Sequence, residues 1–81
     1  MLTKYIESAM KRASYEIIMD EEPYYGEISI LKGVWSTGKT LEECKKNLQE
    51  ALEDYIIISL ERHLSLPEVD NISVKSDRVS A

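Results

Sequence analysis

The apolar positions of this chain change period three times, and each change marks an element. Leu2, Tyr5, Ile6, Ala9, Met10 and Ala13 recur at steps of three and four opposite Lys4, Glu7, Ser8, Lys11 and Arg12. That spacing predicts a short amphipathic helix over 2–13, with Thr3 able to cap it. From Ser14 to Asp20 the period falls to two: Tyr15, Ile17 and Met19 share one side, and Glu16, Ile18 and Asp20 the other, as in a half-buried strand. Asp20-Glu21-Glu22-Pro23 makes a polar turn, and Tyr24 to Leu31 alternates again as a second strand. So few connecting residues imply a hairpin. Lys32-Gly33 signals the next turn, and Val34 to Thr37 a third short strand antiparallel to the second.

The helical period then returns over Thr40 to Leu60, the longest consistent segment in the chain. Thr40 and Glu43 form a capping box, and Glu42 and Glu43 complement the positive end of the helix dipole. Leu41, Cys44, Leu48, Ala51, Leu52, Tyr55 and Ser59 make the apolar stripe, opposite Lys45, Lys46, Gln49, Glu50 and Glu53. Pro67 stops helical structure and biases Leu66 toward extended geometry. Asn71 to Lys75 alternates enough for a short fourth strand, and 76–81 reads as a polar tail expected to fray. The expected architecture is one α+β two-layer domain over 1–75 in the order α-β-β-β-α-β: N-terminal helix, three-strand antiparallel meander, long helix, short fourth strand.

The second half of the long helix breaks its own stripe. Tyr55, Ile56, Ile57, Ile58 and Leu60 put large apolar groups on nearly every face, and a helix apolar all round is buried all round. An 81-residue chain buries only about 60% of its unfolded surface. Ile56, Ile57 and Leu60 are therefore the expected interface of a homodimer or higher homo-oligomer, as a helix pair about a two-fold axis or through strand pairing. The first helix and the C-terminal segment are the alternative cover.

Charge narrows the partners. The balance is −5, from 15 acidic and 10 basic residues, a poor match for phosphates. It suits a basic protein, and equally the solubility of a small domain. No run approaches the roughly 20 apolar residues of a membrane span, and 1–13 lacks the apolar core of a secretory signal, so a cytoplasmic protein is expected. Cys44 is the one cysteine, which excludes an internal disulfide and a four-cysteine metal site, and its place on the stripe makes it a small hydrophobe.

Catalytic chemistry finds little to work with. Glu16 and Glu27 can be neighbours across the first two strands, with Asp54 a conceivable third carboxylate for two-metal nuclease chemistry, but each reads more simply as a solvated charge. Asp20, Glu21 and Glu22 lack the ligand spacing of a calcium loop. His63 stands at a helix C-terminus with no nucleophile or metal partner, and there is no G-x-S-x-G, P-loop or H-E-x-x-H. No enzyme, metal or cofactor is expected. Recognition by surface remains, and Tyr24, Tyr25, Glu27 and Trp35 are the expected partner-binding set, since amphipathic aromatics anchor protein interfaces.

Several segments in order carry a family likeness: Tyr25-Gly26-Glu27-Ile28, then Leu31-Lys32-Gly33, then Gly38-Lys39-Thr40-Leu41-Glu42-Glu43, then Asn47-Leu48-Gln49-Glu50-Ala51-Leu52, and finally Leu66-Pro67. Together they resemble the HicB-type antitoxins, over about Tyr15 to Val74. The resemblance implies a truncated ribonuclease H-like fold without nuclease chemistry, and binding and neutralisation of a small basic mRNA-cleaving toxin of the HicA type. Many relatives add a DNA-binding segment, but none fits after Val74, so direct nucleic-acid binding by this chain alone is not expected. Lys39 stands where an acidic residue is usual, Ser29 where proline is usual, and the helix over 2–13 precedes the usual start. A self-assembling structural domain and a degenerate nuclease are the alternatives.

Overall fold

The structure, a computed structural model, describes residues 2–72. Helix α1 (Leu2–Lys11) leads into strands β1 (Ser14–Ile17), β2 (Tyr24–Glu27) and β3 (Trp35–Gly38), and helix α2 (Leu41–Glu61) follows. The fold class is α+β. The strands form one antiparallel sheet in the order β1-β2-β3, each joined to the next by a tight connection.

The strands are shorter than the alternation suggests, for local reasons. β1 stops at Ile17, although the Ile18 N–H still donates to the Pro23 carbonyl at 2.7 Å and draws the hairpin in to a four-residue tip. β2 stops at Glu27 because Ile28 to Val34 folds into a compact turn. Leu31 N–H donates back to Ile28 O at 2.9 Å and Val34 N–H to Leu31 O at 3.1 Å, with Gly33 at φ 90°, a backbone region that favours glycine. The apolar residues of that turn are core: Ile28, Leu31 and Val34 are all buried.

α2 begins as its residues dictate. Thr40 is the N-cap, and its hydroxyl accepts from the Glu43 N–H at 3.0 Å. The Glu43 carboxylate reaches one residue further back than a standard capping box and accepts from the Lys39 N–H at 2.7 Å. Cys44, Leu48, Leu52 and Ile56 point inward, and α1 contributes Tyr5 and Ala9 to the same core. α2 sits very close to the sheet at its start: a Cβ on Gly38 would lie 2.5 Å from the Cys44 nitrogen, and one on Gly26 3.1 Å from Cys44 Sγ. The Ser36 hydroxyl fills the remaining gap by donating to the Cys44 carbonyl at 2.8 Å.

The far end of α2 closes with a Schellman arrangement. Leu64 N–H donates to Ser59 O at 2.8 Å and His63 N–H to Leu60 O at 3.1 Å, which puts His63 at φ 57° where glycine is usual. The chain then returns along α1. The Tyr5 hydroxyl donates to Pro67 O at 2.6 Å, and the Arg12 guanidinium pairs with Asp70. Asp70 and Asn71 both have positive φ between Val69 and Ile72, which exchange two backbone hydrogen bonds. That is the geometry of a primed two-residue turn. Asn71 is therefore a turn residue and not the first residue of a fourth strand, Ile72 bridges back to Val69, and the remainder of that expected strand, 73–75, lies outside the described residues, as does the tail 76–81.

Of the expected oligomer residues, Ile56 is corrected by its position. It is 2% exposed and belongs to the protomer's own core. Leu60 is partly buried against that core. Ile57 is 54% exposed and Ile58 49%, so the apolar surplus of the helix stands at these two positions.

Candidate functional site

The register of the sheet decides which side chains share its two faces. Tyr15 pairs with Gly26 and Gly26 with Ser36, and this row faces α2, as the approach of Cys44 to Gly26 and Ser36 establishes. The alternate rows must then face away from the helix. They are Glu16, Tyr25 and Thr37, and beside them Ser14, Glu27 and Trp35. Among the described residues no second layer covers this face.

Three of the four expected partner-binding residues meet there. Tyr25 and Trp35 are diagonal neighbours whose rings stack at 6.2 Å between centroids and 22° between planes, with Trp35 56% exposed. The Tyr25 hydroxyl donates to Glu27 Oε1 at 2.9 Å. That bond, with burial and the Glu27 and Glu16 carboxylates behind it, pushes the Tyr25 phenol above its ordinary pKa and keeps it a donor. Tyr24 does not join them. It pairs with Ile17 and Gly38 in the rows that face α2, so the sheet itself separates it from Tyr25. Adjacent positions along a strand point to opposite faces, and this part of the expectation is corrected on that ground.

Two further residues belong to the face. Glu16 lies directly across from Tyr25, and Glu22 reaches over from the hairpin to accept from the Thr37 hydroxyl at 2.6 Å. The hairpin register alone locates Glu16, because a four-residue tip between Ile18 and Pro23 fixes Glu16 opposite Tyr25. Glu22 carries no signal beyond its place in an acidic turn. The result is an aromatic pair set among Glu16, Glu22 and Glu27, none of which forms an ion pair among the described residues, where Arg12 with Asp70 is the pair present.

The arrangement offers recognition chemistry. Glu16 and Glu27 are diagonal neighbours, but Asp54 is exposed on α2, across the sheet from them, so the three carboxylates do not converge. No cluster of three or more metal-ligating side chains occurs among the described residues. Cys44 is buried against Ser36. His63 serves the helix end. No helix among the described residues is long and apolar enough to cross a membrane.

A small two-layer domain with α2 on one sheet face, α1 packed against α2, and an uncovered acidic-aromatic face on the other side of the sheet defines the class. The chain belongs to the UPF0150-like family, whose model matches residues 4–67 and whose members are small HicB-like domains. That match starts within α1, so the first helix is part of the family's domain and not an extension ahead of it. The crystal structure of TTHA0281 from Thermus thermophilus is similar at 55% identity and a TM-score of 0.88, covering 90% of each chain. No curated protein matches the chain.

Proposed function

We propose that this chain is a HicB-like antitoxin or a stand-alone relative of one, a non-catalytic cytoplasmic module that neutralises a small basic mRNA-cleaving toxin by covering it. The observation that carries this reading is the open sheet face. It combines a stacked aromatic pair with Trp35 exposed, the kind of group that anchors protein interfaces, with three carboxylates that have no basic partner among the described residues. A partner rich in lysine and arginine complements such a surface and is steered to it, whereas a nucleic acid is repelled. The reading needs no cofactor, metal or direct nucleic-acid contact. It includes self-association, with Ile57 and Ile58 as the surface a second copy would cover.

The test begins with the neighbouring reading frames, one of which encodes a small basic protein under this reading, and co-expresses that protein with this chain. Under this reading the basic protein arrests growth alone, growth resumes when this chain is present, and the two co-purify. Growth arrest that this chain fails to relieve would overturn it.

A further inference from the structure

At the edge of the open face, between the sheet and the turn that follows β2, lies a shallow cleft of about 260 Å³ whose lining includes Tyr25, Glu27, Ser29, Lys32 and Trp35. We infer that this cleft seats an arginine side chain of the partner polypeptide, its guanidinium stacked on the exposed Trp35 ring and hydrogen-bonded to Glu27. The inference rests on the reading of the open face as the docking surface and names the group that docks there.

Three features of the cleft select that group. The Trp35 ring, backed by Tyr25, presents a flat π face, and a planar guanidinium lies on such a face while still offering N–H donors in its own plane, which a lysine ammonium cannot do. The Glu27 carboxylate is held in place by the Tyr25 hydroxyl on Oε1, which leaves Oε2 to accept from the incoming side chain. Glu16, across from Tyr25 and diagonal to Glu27, adds a second negative charge to the same patch.

The cleft's other polar groups agree with a cationic occupant. Lys32 lines the rim but makes no ion pair with Glu27 among the described residues, so the carboxylate is not already neutralised. A nucleobase would also stack on Trp35, but its phosphates would meet Glu16, Glu22 and Glu27. An apolar side chain would cover Glu27 Oε2 without offering it a donor.

Trp35 is the protein's one tryptophan, so its emission reports on the cleft directly. The full chain is titrated with a capped Gly-Arg-Gly tripeptide and with its citrulline counterpart, which keeps the shape and loses the charge. The arginine peptide should quench Trp35 saturably, with the citrulline peptide about tenfold weaker, and Glu27→Gln should weaken arginine binding by about five- to tenfold. Equal responses to the two peptides, an affinity unchanged in Glu27→Gln, or stronger quenching by a short oligonucleotide would each overturn the inference. Circular dichroism of Glu27→Gln, a surface substitution, establishes that its fold is intact.

A second arm separates this inference from the antitoxin reading. If wild-type chain and Glu27→Gln bind the neighbouring basic protein equally well, the arginine seat falls and the antitoxin reading stands. If the peptide results hold and that protein is not bound, the antitoxin reading falls and the seat stands.

Discussion

The Tyr5 hydroxyl donates to the Pro67 carbonyl at 2.6 Å, joining positions 62 apart in the chain. Tyr5 is completely buried, so its ring fills the core while its one polar atom holds the segment that returns to α1 after α2. Tyr5→Phe keeps the ring and removes the donor, leaving Pro67 O short of a partner. A loss of about 1–2 kcal/mol is expected, read from urea unfolding at neutral pH.

The same phenol gives stability a pH dependence at the alkaline end. Burial, with the nearby Tyr55 adding to it, pushes the Tyr5 pKa up to about 12 from the ordinary 10.0. The unfolded chain gives up this proton first, so its contribution is complete below pH 10 and drains away as pH rises from 10 toward 12. Tyr15, raised by burial, and Tyr25, raised first by its bond to Glu27, act in the same sense. Thermal midpoints should fall across that window, and Tyr5→Phe should fall less steeply than wild type.

His63 occupies a left-handed position that a side chain enters at a cost. His63→Gly should raise stability by about 0.5–1 kcal/mol, and His63→Val should lower it, both measured by chemical denaturation.

Gly26 is fixed by what lies over it. A methyl group there would lie 2.8 Å from the Tyr15 ring and 3.1 Å from Cys44 Sγ. Gly26→Ala should therefore cost about 1–3 kcal/mol by forcing α2 and the Tyr15 ring away from the sheet. A midpoint unchanged within error would show that the helix tolerates the shift.

Ile57 and Ile58 test self-association without touching the core. Light scattering of the wild type should give a dimer or larger species at micromolar concentration, and the double substitution Ile57→Glu, Ile58→Glu a monomer with the same circular dichroism. A wild-type monomer would refute this surface as an interface.

Much of this is legible along the chain because local rules and tertiary packing agree. Thr40 and Glu43 announce the start of α2, Gly33 the turn, and Cys44, Leu48 and Leu52 the inward stripe, each where the structure puts it. Trp35, Tyr25 and Glu27 can be grouped because the meander has short connections. Grouping Tyr24 with them follows nearness in sequence, and alternation along the strand overrules it. A run of isoleucines does not say which member points inward, so Ile56 reads as an interface residue until the position of α1 decides otherwise. Glu22 depends on how the hairpin tip curls over β3, a tertiary detail with no periodic trace.

The Tyr5 to Pro67 and Arg12 to Asp70 links also make the seating of α1 depend on contacts far along the chain. α1 packs on α2, and its seat is complete only when the segment beyond α2 is also in place. Closing so long a loop comes late in folding. A chain cut short before that segment keeps the packing of α1 on α2 and loses both links.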